Sequence, residues 1–361
     1  MSSVKISQAS NLSESSFDEN ITEAPPQPVT HQTDVSGDEL MSQDVYLSAQ
    51  EVLDGVKKGL QALGLVLNVL HVIVMTRKSM RSPASRYMVS MSVVQLIYIV
   101  LSLVSTVHRL LTPRVMTDVF YLVYTIYVGN YVMSCLRRLL YVLHCLVSTE
   151  RLLAVLMPLK AKGYAIVTRP GLFIAVATVV VFVCNVHVAL KLEVYETSDT
   201  DNSTFHSYRY TDVYVRHPHL LDTLNVASKV VFVYGTLLFL VVANIVLIVA
   251  LRRHATKRRE IVSDMDTRQR RERQMTVTIL VSTLVFTFLC LPTVSNSVAY
   301  NLIPESYGPF TSHQYLFQFV QTLGAACYLL AFSTDFFTYV FLSTAYRNTL
   351  MRMLRHPQDG D

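Results

Sequence analysis

Seven times along its 361 residues the chain runs apolar for about the twenty residues that a helix needs to cross a bilayer. The runs read Val56–Met75, Ser85–His108, Val119–Arg151, Pro170–Leu190, Leu224–Leu251, Gln274–Ala299 and Tyr315–Leu342. In lipid every backbone N–H and C=O needs a partner inside the protein, so runs of this length fold as helices. Composition agrees: 51% of residues are hydrophobic and 16% charged, against about 25% charged in an average soluble chain. The expected fold is an all-α membrane protein, a seven-transmembrane helix bundle with a short amphipathic eighth helix. The bundle occupies 53–344, after a tail (1–52) and before an amphipathic segment and short tail (345–361). All five cysteines lie inside apolar runs, which disfavours a disulfide framework. No internal repeat is apparent, which weakens a transporter built from duplicated halves. Nothing in the pattern calls for a cofactor, a metal or enzymatic chemistry.

Charge sets the expected orientation. Arg77, Lys78, Arg81 and Arg86 follow the first run, and Lys160, Lys162 and Arg169 follow the third. Nine basic and four acidic residues lie between Arg252 and Arg273, and Arg347, Arg352 and Arg355 follow the seventh run. Basic loops stay cytoplasmic, so the C-terminus is expected inside and the N-terminus outside a plasma membrane. The net charge of +5 is thereby a loop property and not a nucleic-acid signal. The first 52 residues hold nine Asp/Glu and one Lys, read as a disordered tail with no cleavable signal peptide. Glycosylation sequons begin at Asn11, Asn20 and Asn202, all on the side expected outside.

Polar residues inside such runs are costly and tend to be functional. Glu150 and Arg151 close the third run before Met157-Pro158-Leu159 turns the chain away. The carboxylate can hold the arginine through a charge-assisted hydrogen bond until something competes for it. Pro292 sits inside the sixth run, where it removes a helix hydrogen bond and makes a lever of the cytoplasmic half. Asp335 in the seventh run needs a polar partner, and Gln95 in the second is the candidate. Asn68 and Asn244 are further interhelical hydrogen-bonding residues. Arg137 and Arg138 lie in the middle of the third run, and Lys229 lies near the outer end of the fifth. One arginine should face a cavity or a partner: Arg137 either clamps an acidic group or pairs internally with Asp335 or against His144 and Tyr141. Residues 345–354 alternate Tyr346, Leu350, Met353 and Leu354 with Arg347 and Arg352, as suits a helix on the membrane surface.

Order and spacing from about residue 53 to 355 resemble the rhodopsin-like (class A) G-protein-coupled receptors. Ser148-Thr149-Glu150-Arg151-Leu152 is similar to their Asp/Glu-Arg-Tyr stretch, and Phe286 with Pro292 to their Phe-x-x-Cys-Trp-x-Pro motif. Cys290 stands at the tryptophan position, so the bulky toggle at the pocket floor is expected to be absent. Asp335-Phe336-Phe337-Thr338-Tyr339 resembles the Asn-Phe-Phe-x-Tyr form of molluscan chemosensory and invertebrate FMRFamide-type peptide receptors. The resemblance implies that Arg151 and Leu159 meet a heterotrimeric G protein and that Glu272, about 30 Å below Pro292, locks Arg151. It places Met133, Ser134 and Arg137 on the ligand face, and puts Gln95 where a sodium-binding Asp is usual. Met133 stands where amine receptors carry Asp, and Leu329 where opsins carry lysine, so amines and retinal are disfavoured. Ile126 replaces the usual helix-three cysteine, and the loop from Lys191 to Thr223 has none. Its Tyr208, Tyr210 and Tyr214 are expected to line a short hairpin that nothing pins.

The implied function is a receptor for an extracellular ligand, a peptide or small acidic molecule, that acts on a G protein from within the lipid bilayer. Two other readings stay open: a seven-helix decoy or scaffold, and a transporter using Arg137, Lys229 and Asp335.

Overall fold

A computed structural model describes residues 40–111, 118–161, 163–198, 204–259, 267–309 and 311–355. The main helices are α1 (Gln43–Thr76), α2 (Pro83–Leu111), α3 (Val119–Leu156), α4 (Pro170–Cys184), α5 (Pro218–Arg253), α6 (Thr267–Leu302), α7 (Gln314–Leu342) and α8 (Thr344–Arg355). Six of them are long and apolar enough to cross a membrane; α4 is shorter. Together α1 to α7 form a seven-helix bundle, with α8 turning off its inner end. Here "outer" and "inner" follow the orientation read from the loop charges.

The helices sort their side chains by surroundings. Val176, Val179, Val183, Leu238, Val242 and Ile245 stay exposed, as lipid-facing positions do. The interior gathers aromatic and sulfur side chains instead, among them Tyr87, Met88, Met91, Tyr141, Phe286, Phe332 and Tyr339. Small residues let helices close: a Cβ on Gly324 of α7 would fall against the hydroxyl and backbone of Thr293 in α6. That contact sits one residue from Pro292, whose ring deprives the Phe288 carbonyl of its helical donor.

Several expectations need correction. The N-terminal tail does not run to residue 52, because α1 already begins at Gln43, where Tyr46 is buried and stacks near Tyr315 of α7. The fourth apolar run is not one helix to Leu190. It stops at Asn185, whose side-chain amide turns back to the Val181 carbonyl (2.6 Å), and resumes as a short turn, Val186–Ala189. Two stretches are π-helical: Tyr124–Val132 in α3 and Val230–Gly235 in α5.

The loop after α4 forms the expected hairpin, β1 (Leu192–Ser198) against β2 (Thr204–Tyr210), antiparallel with Leu192 opposite Tyr210. Tyr214 is not on it; it lies in the short helix Asp212–Arg216 that follows. Nor is the hairpin unpinned. Lys191 reaches Asp222 of α5 at 2.7 Å, Tyr214 donates to the same carboxylate at 3.1 Å, and the Tyr210 and Tyr214 rings stack at 4.6 Å. Burial, with the Asp222 carboxylate beside it, pushes the Tyr214 phenol up to about 12, which keeps it a donor. Local ion pairs and stacking thus hold a loop that has no cysteine.

The eighth helix is present, but its aromatic anchor faces the bundle. Tyr346 is fully buried, and its hydroxyl meets the imidazole of His71 in α1 at 3.2 Å. Arg347 covers the last carbonyls of α7, donating to Val340 (3.0 Å) and Phe341 (2.8 Å). Leu354 alone of the four apolar positions is strongly exposed, as a residue facing lipid would be.

Candidate functional site: an outer cavity above an inner arginine

At the outer end, α3, α5, α6 and α7 part around a cavity of about 730 Å³, counting its open mouth. Arg137, Arg138 and Lys229 bring three cations to its lining. Asn296, Gln321 and Tyr234 supply neutral polar groups there, and Thr293 a buried hydroxyl with no hydrogen-bond partner. Ser134, itself buried, braces Arg137 by accepting from Nη2 at 3.2 Å. Arg138, 1% exposed, donates Nη1 to the side-chain oxygen of Asn185, which also accepts from Ser228 of α5. Asn185 therefore breaks α4 and knots α3, α4 and α5 behind the cavity. Sequence reasoning passed over it; an arginine in mid-membrane demands a nearby acceptor, and Asn185 is the polar interruption in a valine-rich run.

The expected ligand face divides. Arg137 and Lys229 line this cavity, but Met133 lines a second one of about 1090 Å³, mouth included, between α1, α2, α3 and α7. Its wall is hydroxyl- and amide-rich, with Gln61, Ser102, Thr106, Tyr124 and Asn130. Gln61 donates to Ser102 at 2.6 Å, while its own carbonyl is buried without a partner. Ala325 of α7 lines both cavities. Both π-helical stretches adjoin them: the segment in α3 contributes Tyr124, Thr125, Gly129 and Asn130, and that in α5 Val233 and Tyr234.

The cavity floor is aromatic after all. Cys290 is fully buried and sends no bulk upward, but the Tyr141 hydroxyl bonds that of Tyr328 across from α3 to α7. Phe286 of α6 packs edge-on to Tyr141 (5.4 Å between centroids) and face-on to His144 (3.8 Å). Tyrosine pairing and a stacked histidine fill the place of the missing tryptophan.

Below the floor, Asp335 is buried and receives Gln95 Nε2 at 3.1 Å, as expected from the sequence. A second donor was not foreseen: Ser282 of α6 bonds the other carboxylate oxygen. The three side chains join α2, α6 and α7. Arg137 has no part in Asp335's hydrogen bonds. Asn68 donates to the Phe332 carbonyl (3.0 Å) and Asn244 accepts from Thr283 (2.9 Å), so both tie helices together as expected.

At the inner end of α3, Arg151 and Glu150 form a two-pronged pair, Nε to one carboxylate oxygen and Nη2 to the other at 2.5 Å. Both residues are buried. The expected Arg151–Glu272 pair is not made. Glu272 is exposed near the start of α6, in an arginine-rich stretch of sequence, while Glu150 is adjacent to Arg151 on the same buried turn. Tyr339 is fully buried, edge-on to His71 (5.1 Å) and tilted against Tyr346 (5.6 Å), with its hydroxyl unpaired. Leu159 lies in the short helix Pro158–Ala161. Asn11, Asn20 and Asn202 lie outside the described residues.

A comparison with curated proteins finds no match. A family model described as "Serpentine type 7TM GPCR chemoreceptor Srw" matches residues 56–356, from the first helix through the eighth. That span takes in both outer cavities, the aromatic floor, the Asp335 cluster and the Glu150–Arg151 pair, and with it the chain belongs to the Srw family of serpentine seven-transmembrane chemoreceptors.

Proposed function

We propose that this chain is a plasma-membrane chemoreceptor that couples an extracellular ligand to a heterotrimeric G protein. Its N-terminus is outside and its C-terminus in the cytoplasm. The ligand, a small acidic molecule or a peptide, enters between α3, α5, α6 and α7. The observation that carries the reading is the buried Glu150–Arg151 pair. A guanidinium held inside the bundle by its own neighbour is a stored binding group, released only when a competitor or a change in helix packing draws it away.

A path links the two ends. A ligand that moves Tyr141 or Tyr328 disturbs Phe286 through ring contact, and Phe286 sits on α6 six residues before Pro292. The Ser282–Asp335–Gln95 cluster holds α6 against α7 and α2 lower down. An outward swing of the inner half of α6 breaks the Ser282 bond and opens the space below Arg151. Ligand binding then biases a two-state bundle by its differential affinity for the two packings. With Gln95 and Ser282 already donating to Asp335, this switch runs without sodium. The resemblance to molluscan chemosensory and FMRFamide-type receptors supports the class A variant of this mechanism.

The test is nucleotide exchange on a panel of G proteins with the receptor in nanodiscs, beside Arg151→Ala. Exchange that depends on receptor and is lost in the variant is the expected result. A correctly folded receptor that drives no exchange on any G protein, with or without ligands, sinks the coupling and leaves a ligand-binding decoy.

A further inference from the structure

Beside the proposed ligand cavity stands the one between α1, α2, α3 and α7, and Ala325 lines both. We infer that this neighbouring cavity is a second binding site, whose occupant is a small neutral polyol, a sugar or a glycerol-like molecule. The inference rests neither on the cavity between α3, α5, α6 and α7 nor on G-protein coupling.

The cavity offers about 210 Å³ of water-accessible space, where roughly 10–15 Å³ is enough to admit one water. That is below the roughly 300 Å³ at which drug-sized pockets begin, so the occupant is small. The hydrogen bonds of the wall say what it must carry. Gln61 lines the cavity and is 5% exposed; its amide nitrogen is used by Ser102, and its side-chain oxygen has no partner. A buried acceptor left unpaired is costly, so an occupant that brings a donor is favoured. Tyr124 and Thr106 point the same way. Each hydroxyl gives its one proton to a carbonyl of α2, Tyr124 to Leu101 and Thr106 to Ser102 (3.0 Å), so each keeps only lone pairs for an occupant. The wall thus presents acceptors, and it suits a ligand rich in O–H or N–H donors.

Charge narrows the class to neutral molecules. Asp54 is the one acid among the described lining residues, and Lys57 holds it at 2.6 Å. The exposed Lys58 adds a further positive charge. A ligand cation therefore meets a net positive lining whose one carboxylate is already paired. A carboxylate fares no better. The oxygens of Gln61, Tyr124 and Thr106 offer it only lone pairs, and an ion pair with the solvated Lys58 is worth little. A neutral molecule with several hydroxyls gives its protons to those acceptors, and its own oxygens can accept from the Asn130 amide in the same wall. The Tyr98 and Tyr121 rings supply apolar surface for its C–H side.

The test uses the full chain in nanodiscs and thermal unfolding at constant ionic strength, without G protein. The probes are glycerol, erythritol, myo-inositol and glucose, against 1,2,3-trimethoxypropane, acetate and 1,4-diaminobutane. All are kept at or below about 10 mM, far under the levels at which sugars stabilise proteins by exclusion from their surface. At least one polyol is expected to raise the unfolding midpoint saturably, by about 2–3 °C at roughly ten times its dissociation constant. Trimethoxypropane, which has no donors, and the two ions are expected to leave it unchanged. Gln61→Met removes the unpaired acceptor. Gly129→Leu fills the space instead, since a Cβ on this lining residue meets nothing nearer than 3.9 Å. Each is expected to abolish the shift. The polyol is also expected to slow thiol labelling of Ser105→Cys, in this cavity, and not of Ser297→Cys, in the neighbouring one. The inference is overturned if no polyol shifts the midpoint, which leaves water as the occupant, or if trimethoxypropane or either ion shifts it equally. It also falls if a folded Gln61→Met or Gly129→Leu receptor keeps the full shift, or if protection falls on Ser297→Cys. Failure of G-protein coupling leaves every one of these readings intact, so the two proposals fail separately.

Discussion

Replacing Glu150 by glutamine should turn the receptor on. In the structure the carboxylate takes two contacts from Arg151, and both residues are buried. Glutamine keeps the size and one acceptor but removes the charge. Removing a partner from a fully buried ion pair costs about 3–5 kcal/mol, whereas exposed pairs are worth under about 1 kcal/mol. Arg151 stands at the inner end of α3, within reach of water, and the glutamine still accepts one hydrogen bond. A loss of about 2 kcal/mol from the closed state is therefore the working figure. If the resting bundle is about 1% open, a loss of that size multiplies the open-to-closed ratio about thirtyfold. The open fraction then rises to roughly a quarter. Basal nucleotide exchange in nanodiscs, normalised to folded receptor, should rise about twentyfold and fall back when Arg151→Ala is added. A folded Glu150→Gln receptor with basal exchange within twofold of wild type would refute the idea that this pair holds the bundle shut.

Asp335→Ala leaves the Gln95 amide and the Ser282 hydroxyl buried without their acceptor and should cost about 2–4 kcal/mol, read as a lower unfolding midpoint. Ligand affinity in that variant and in wild type should not change when potassium replaces sodium. Tyr346→Phe removes only the hydroxyl contact with His71 and should cost about 1 kcal/mol, whereas Tyr346→Ala empties a fully buried site and should cost about 3–5 kcal/mol. Equal effects of the two on the unfolding midpoint would mean that packing of α8 contributes nothing. Gly324→Val puts a branched side chain against the backbone of Thr293 and should cost about 1–3 kcal/mol by prising α6 from α7. Its basal exchange should rise as well; a stable variant with unchanged exchange would argue that α6 does not swing at this height.

How much of this was legible in the sequence depended on how local each feature is. The seven apolar runs are local, and each returns in the same order as a helix of the bundle, although α1 begins at Gln43 and the fourth run breaks at Asn185. The Asp335–Gln95 bond was legible because a buried acid must be answered and few polar residues stand near enough in membrane depth. Ser282 was not, since one serine among the several serines and threonines of α6 carries no mark. Arg151 turned to Glu150 and not Glu272 because adjacency on one buried turn needs no helix to approach another. The sequence suggests both acids and cannot weigh their burial. Asn185 hid within a run of valines whose hydropathy reads as continuous, although its amide both stops α4 and receives Arg138. Met133 and Arg137 stand four residues apart on ordinary α-helix, about 40° apart around it, so their spacing puts them on one face and shows nothing of the two cavities that adjoin that face.

Those π-helical stretches bear on how such a receptor changes over generations. Each one carries more residues per turn than an α-helix, a form that is rare overall and frequent at functional sites. If Tyr124–Val132 rewound as ordinary α-helix without losing a residue, everything outward of it would turn by roughly 100° relative to Arg137 and Arg151. The same holds for α5 above Thr236. Gain or loss of the wide turn in these two places would alter which side chains line the outer cavities while the inner ends of α3 and α5 keep their register. A chemoreceptor of this family can thus remodel its outer end at two points and leave its inner end as it is.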